Sequence, residues 1–150
     1  MTAINHAVTG ASIGLISGQP IIALPAALLS HFVCDSLPHY GSSNANGTIA
    51  SKGFRNYLIA DASLCFLLVL TLYMLSPVNW LLAAICAFLA ASPDFFWINR
   101  FRLIRAGKKW HPNTFSKFAQ NIQWFQRPVG VVVEAAWFIA GGIIIGSFIR

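Results

Sequence analysis

The residues best suited to chemistry are the four carboxylates and three of the four histidines, which lie inside or at the edges of apolar stretches. The strongest local motif, SHFVCDSLPH, holds His31, Asp35 and His39 at intervals of four residues. On a helix, residues four apart lie one above the other, so His31 and Asp35 can reach the same ion. Imidazole nitrogen combined with carboxylate oxygen favours zinc, iron or manganese over magnesium or calcium. The motif therefore predicts a divalent transition-metal site, with zinc as the first expectation.

The other ionisable residues of the apolar stretches extend this prediction. A charged side chain in lipid costs on the order of 2.5–3.5 kcal/mol, so unbalanced carboxylates are expected to need a cation. Such a site polarises a phosphoryl or carbonyl oxygen and lowers the pKa of bound water. The four carboxylates and three histidines could bind one ion, or two ions bridged by a carboxylate. We predict metal ligands from His6, His31, Asp35, His39 and Asp94, and a catalytic base from Asp61 or Glu134.

Each of these residues also has a purely structural interpretation. His31 and Asp35 can simply pair with each other inside the protein. Asp61 can pair with Arg55, whose long side chain can bend back toward it. Asp94 can cap the helical turn that follows it. The residues alone leave these alternatives open.

The composition defines the surroundings of this chemistry. Hydrophobic residues make up 57% of the 150 residues and charged residues only 9%. A soluble domain carries about 25% charged residues, so this chain cannot cover itself with a wetted surface. We therefore predict an integral membrane protein with a single transmembrane domain over residues 1–150.

The hydropathy pattern predicts an all-α membrane bundle of about five apolar helices with one interfacial amphipathic helix. The first two apolar segments are shorter than the ~20 residues of a full crossing and can form a tilted or re-entrant hairpin. A polar, glycine-rich loop is expected over 39–53. Pro93 is expected to interrupt the fourth segment. The apolar segments cover about 4–17, 21–37, 54–75, 80–98 and 129–149.

The basic segment over about 100–127 has two interpretations. Apolar residues recur at helical spacing with polar residues between them, which is typical of an amphipathic helix lying on the membrane surface. The apolar positions are Phe115, Phe118, Ile122 and Phe125, and the polar ones are Lys117, Gln120 and Gln123. The segment can set topology and anchor the protein to anionic lipids. Alternatively, it can form a rim that draws a phosphate-bearing lipid or nucleotide toward the metal ligands. Nucleic-acid binding is not expected, because the basic residues are explained without it.

The distribution of basic residues predicts the topology. If the segments alternate, the N-terminus, the loop after the second segment and the 94–128 connection share one face, and Arg150 lies opposite. The positive-inside rule then predicts a multi-pass membrane protein with a cytoplasmic N-terminus. The same alternation brings a metal-type ligand from every apolar segment to the cytoplasmic side. The basic residues on that face are Lys52, Arg55, Arg100, Arg102, Arg105, Lys108, Lys109, Lys117 and Arg127.

Two of these stretches resemble a known family. The opening MTAINH and the Ser30-His31-xxx-Asp35 motif are similar to small inner-membrane metal-dependent hydrolases described as LexA-regulated. Ser92-Pro93-Asp94 matches part of that family's Pro-Asp motif, while its Thr-His-Ser motif is absent. The resemblance implies a metal site and, less directly, hydrolysis.

Together these features predict a metal-dependent hydrolase that cleaves a phosphoester or acyl bond of a lipid-like substrate at the cytoplasmic face. Membrane lipids are the expected partners, and the oligomeric state is left open. Two other classes remain. One is a non-catalytic membrane scaffold that packs its helices through glycines such as Gly10 and Gly14. The other is a proton- or ion-coupled small transporter, which would need a polar path through the far half of the bundle.

Overall fold

Proline, glycine and capping side chains determine where several helices begin and end. The computed structural model describes residues 1–41 and 45–149, with the backbone alone for 45–47. This part of the chain is helical and has no strand, which confirms the predicted all-α bundle. A 3₁₀ turn (Ser92–Phe96) joins two of the helices. The helices are α1 (Ala3–Ser17), α2 (Pro20–Ser36), α3 (Ala45–Ala50), α4 (Lys52–Leu75), α5 (Trp80–Ala91), α6 (Trp97–Arg105), α7 (Thr114–Ile122) and α8 (Gly130–Phe148).

The helix ends follow from local chemistry. Gly18 adopts the left-handed conformation with φ of 58°, which ends α1 at little steric cost. Pro20 is the first residue of α2, where its missing N–H is not needed. The side chains of Ser51 and Asn113 accept amide hydrogen bonds in the first turns of α4 and α7.

α1 lies at the centre of the bundle and packs against α5, α2, α8 and α4. Two glycines allow α5 to approach closely. A Cβ atom at Gly10 would lie 2.2 Å from the carbonyl oxygen of Cys86, and one at Gly14 would lie 2.6 Å from Cα of Ala83. Any larger residue would push the helices apart at these positions.

The outer surface of the bundle is apolar. Ile21, Phe66 and Ile143 are 90%, 67% and 68% exposed. Three helical stretches are long and apolar enough to cross a membrane: α4, the continuous stretch Trp80–Arg105, and α8. α2 is a shorter apolar helix, whereas α1 is enclosed by its neighbours.

Three local features differ from the sequence-based expectations. The expected interruption at Pro93 is a 3₁₀ turn that continues the helix, because a proline near the start of a turn costs little. The expected loop over 39–53 contains α3. The interfacial helix is shorter than the aromatic pattern suggested, since α7 ends at Ile122 and Phe125 lies beyond it.

Contacts bring several distant segments to one end of the bundle. The N-terminal ammonium group contacts Asp35, the amide of Tyr40 contacts Glu134, and the side chain of Gln123 also contacts Asp35. The N-terminus, the turn after α2 and the segment after α7 therefore share one end, as the predicted alternation requires. Arg150, expected at the other end, and residues 42–44 of the expected loop lie outside the described residues.

Candidate metal centre

Asp35, in the last turn of α2, is the buried centre of a polar cluster. Its Oδ1 accepts from the N-terminal ammonium of Met1 and lies 3.1 Å from Nε2 of His6. Its Oδ2 accepts a hydrogen bond of 2.8 Å from Nε2 of Gln123. Because these groups surround both oxygens, the carboxylate is well satisfied where it stands.

His31 lies one helical turn before Asp35 and has one nitrogen committed. Its Nδ1 is 2.8 Å from the carbonyl oxygen of Ala90, which can only accept, so Nδ1 must carry a proton and donate. In the neutral imidazole this leaves the lone pair on Nε2, which is 3.4 Å from Oδ2 of Asp35. A histidine that ligates a metal usually donates its other N–H to a carbonyl or carboxylate in this way.

His6 on α1 is stacked against His31, with ring centroids 4.0 Å apart. Its Nε2 faces Asp35, and an ionised carboxylate can only accept, so the proton belongs on Nε2. Its Nδ1 is buried with no hydrogen-bond partner among residues 1–41 and 45–149. His6 thus has one nitrogen without a partner, whereas Nε2 of His31 has the carboxylate of Asp35 as its neighbour at 3.4 Å.

Asp94, in the 3₁₀ turn, completes the group. Its Oδ1 is 4.0 Å from Nε2 of His31, and its side chain is 28% exposed. His6, His31 and Asp94 each offer a ligand atom, and these atoms lie within 4.8 Å of one another. Zinc ligands at about 2.0–2.2 Å from the ion can be no more than about 4.4 Å apart, which is close to this spread. The three residues could hold a metal ion.

Asp61 on α4 is engaged in a different way. Its two oxygens accept hydrogen bonds of 2.8 and 3.0 Å from the backbone amides of Ala3 and Ile4. These amides belong to the first turn of α1, whose N–H groups have no partner within the helix. A negative charge there also interacts favourably with the helix dipole. The partners of Asp61 are therefore backbone amides of α1, and not Arg55, which the sequence suggested as its partner.

Glu134 on α8 holds the same end of α1 and the turn after α2. One carboxylate oxygen accepts from the amide of Tyr40 at 2.9 Å, and the other from the amide of Thr2 at 3.2 Å. The side chain of Asn5 donates to the backbone carbonyl of Glu134 at 3.2 Å. Asp61 and Glu134 therefore fix the position of the helix that carries His6.

His39 lies outside the group of three. Its Nδ1 is 2.8 Å from the carbonyl oxygen of Leu37, and its buried Nε2 has no partner in the described part of the chain. Burial lowers the pKa of His39 below its ordinary value, because the charged ring would lose its hydration. An isolated bridge to Gln126 holds the backbone at this position.

A cavity of ≈ 870 Å³ adjoins this end of the bundle. Asp94, Asp61, Glu134 and His39 contribute to its lining, while most of the remaining lining side chains are apolar. A compound with a polar group and a long apolar part would match such a cavity.

Two functional residues were missed by the sequence interpretation. Gln123 was counted with the polar face of the amphipathic helix, yet it donates to Asp35. Asn5 links α1 to the backbone of α8. A signal for Asn5 was present, because an amide beside His6 in an apolar segment needs a partner. No such signal exists for Gln123, whose position depends on how the chain folds back after α7.

Comparisons of the chain with family models, with curated proteins and with solved structures gave no match. The chemistry of the site is therefore inferred from its own geometry. Two stacked imidazoles and one partly accessible carboxylate could hold a metal ion, and the carboxylate also lines the large, mostly apolar cavity.

Proposed function

We propose that this protein is a membrane-embedded, metal-dependent hydrolase acting on a phosphoester or acyl bond of a lipid-like substrate. The single observation that carries the proposal is the group of His6, His31 and Asp94 at the edge of the apolar cavity. Zinc is the first choice of metal, with iron or manganese as alternatives, because the ligands mix nitrogen and oxygen. The resemblance to the inner-membrane hydrolases points to the same class.

In this proposal the protein supplies fixed ligands and a water-poor cavity. Asp35 keeps the proton of His6 on Nε2, and the carbonyl of Ala90 keeps the proton of His31 on Nδ1. Both rings are thereby held in one orientation, with the lone pair on Nδ1 of His6 and on Nε2 of His31, as outer-shell partners do in known metal sites. A bound ion would supply a Lewis acid and lower the pKa of bound water.

The roles of the carboxylates divide according to their partners. Asp61 and Glu134 were proposed as general bases, but their oxygens accept backbone amides, so we now assign them to positioning α1. Asp94 accepts no hydrogen bond from the described residues and lines the cavity. It is therefore the carboxylate best placed to meet both an ion and a substrate.

We place the metal end of the bundle on the cytoplasmic side of the inner membrane. Nine of the ten basic residues lie on segments that should share that side, counting Arg150 as the exception. A reporter enzyme that is active only outside the cytoplasm, fused after Arg150, is expected to be active. An inactive fusion beside an active N-terminal one would reverse the orientation.

A non-catalytic membrane scaffold is the second candidate. Asp35 is already satisfied by the N-terminal ammonium, His6 and Gln123 without any metal. Such a cluster could serve only to order the bundle. In that case the purified protein would bind no metal and the polar groups would contribute only to stability.

Elemental analysis by plasma mass spectrometry on the purified protein separates these candidates. We expect stoichiometric zinc, iron or manganese in the wild type and its loss in His31→Ala. The matched control is His111→Ala, which removes an exposed histidine of the basic loop and is expected to keep the metal. A folded wild type that holds no metal, even after each ion is added, would rule out the hydrolase and favour the scaffold.

A further inference from the structure

The guanidinium group of Arg100, on α6, lies among aromatic rings without an ionic partner. Its Cζ is 5.4 Å from the ring centre of Trp97 and 5.0 Å from that of Trp110. Its Nε is buried and has no hydrogen-bond partner among the described residues. The rings stabilise the charge, but they leave the N–H donors of the guanidinium unused.

All four carboxylates of the protein are described, and none forms an ion pair with Arg100. Asp35 pairs with the N-terminus and the histidines, and Asp94 approaches His31. Asp61 and Glu134 accept backbone amides. The half-buried charge of Arg100 therefore has no counter-ion among these side chains, and its buried Nε–H has no acceptor. A buried polar group without a partner is costly, so Arg100 can bind an anion that these side chains do not provide.

Arg100 lines the cavity that adjoins the metal centre, and that cavity extends far along α4. Its lining on this helix runs from Gly53 to Val69. At 1.5 Å per residue, the distance between these positions is about 24 Å. The hydrocarbon part of one leaflet is about 15 Å thick, so the cavity is long enough for an acyl chain. Apolar side chains such as Leu58 and Phe88 form its walls.

We infer that this cavity binds one phosphate-bearing membrane lipid, with the phosphate on Arg100 and an acyl chain along the apolar wall. Guanidinium and phosphate form charge-assisted, often bidentate hydrogen bonds, which suits the unused donors of Arg100. Asp94, six residues before Arg100 in the chain, lines the same cavity. That this lipid is the substrate rests on the proposed function, whereas its binding does not.

The test measures binding of defined lipids to the metal-free protein by native mass spectrometry. Phosphatidic acid and phosphatidylcholine with identical chains are compared, because the second carries a cationic group beside its phosphate. Arg100→Gln is expected to weaken phosphatidic acid binding roughly ten- to hundredfold. Arg102→Gln, which removes the same charge from an exposed position on α6, is expected to leave it unchanged.

A second variant tests the acyl-chain part independently of Arg100. Val69→Trp fills the deep end of the cavity and is expected to weaken binding of long-chain phosphatidic acid while sparing a short-chain form. The inference is overturned if phosphatidic acid and phosphatidylcholine bind equally, or if Arg100→Gln and Arg102→Gln have equal effects. Because the protein is chelated for this test, lipid binding bears on this inference alone. An absence of stoichiometric metal in the separate elemental analysis would remove only the hydrolase.

Discussion

The two halves of α1 lie in different kinds of surroundings. Backbone amides at its start donate directional hydrogen bonds to Asp61 and Glu134, beside a cavity and a partly accessible carboxylate. Further along, Gly10 and Gly14 press against the backbone of α5 with no space for another carbon atom. We call the start of α1, with His6, the open half, and the part at Gly10 and Gly14 the tight half. The tight half fixes the position of α1 against α5, and the open half lies beside the cavity and the candidate metal ligands.

The largest effect is expected in the tight half. Gly10→Ala would place a Cβ atom 2.2 Å from the backbone oxygen of Cys86, and backbone atoms cannot easily move. We expect a loss of about 2–3 kcal/mol in the free energy of unfolding, or no folded protein. Thermal unfolding in detergent measures this change.

Gly142→Ala is the matched control for that substitution. Its added Cβ would meet nothing within 4 Å. Alanine is favoured over glycine in a helix by about 0.8–1.0 kcal/mol, so the variant should be as stable as the wild type or more so. Equal destabilisation by both substitutions would show that close approach to α5 is not what orders α1.

A smaller effect is expected in the open half. Asp61→Ala would leave the amides of Ala3 and Ile4 without acceptors, at a cost of about 1–3 kcal/mol. Asp61→Asn keeps one acceptor oxygen and should fall between this variant and the wild type. Chemical unfolding followed by tryptophan fluorescence gives the comparison.

A measurement of zinc affinity shows whether Asp61 positions the helix that carries His6 or only stabilises the fold. If the carboxylate positions the helix that carries His6, zinc affinity should fall in Asp61→Ala along with stability. Ser63→Ala, a control at an exposed position of α4, should change stability by less than about 0.5 kcal/mol and leave zinc affinity intact. Unchanged affinity in a destabilised Asp61→Ala would contradict the positioning role.

The smallest effect on stability is expected from protonation of His39, at the edge of the open half, as the pH falls. Burial lowers its pKa in the folded state, and the nearby N-terminal ammonium acts in the same direction, while Asp35 and Glu134 oppose it. Below the ordinary pKa of about 6.5, the unfolded chain takes up a proton that the folded chain does not. Stability contributed by His39 is therefore present above that pH and is lost as the pH falls toward the folded pKa.

Thermal unfolding of wild type and His39→Asn at pH 7.5 and 5.0 tests this dependence. The wild type should lose stability on acidification by no more than about 1.4 kcal/mol per pH unit from this group. The variant should lose less over the same interval. An identical response of both proteins would show that another group governs the acid sensitivity.

The helical fold was predictable from the sequence because hydropathy and prolines act locally. The apolar segments and the break between the first two were identified in this way. The central position of α1 was not, since it depends on how closely Gly10 and Gly14 let α5 approach.

The candidate site was predictable in part. Spacing on one helix brought His31 and Asp35 together, and alternation of segments brought Asp94 and His6 to the same end. The partners of Asp61 are backbone amides, and amides are identical at every residue except proline. No pattern of residue types could therefore indicate them, and the role of Asp61 depends on tertiary structure.

The 3₁₀ turn at Ser92–Phe96 has a consequence for the orientation of the stretch Trp80–Arg105. A 3₁₀ helix turns by about 120° per residue and an α-helix by about 100°. Over the five residues of the turn, the inward-facing side is rotated by about 100° relative to an uninterrupted α-helix. One continuous apolar stretch can therefore present small residues such as Ala83 to α1 before the turn and Arg100 to the cavity after it. This phase change lets a single helical stretch contribute to both the tight half and the open half.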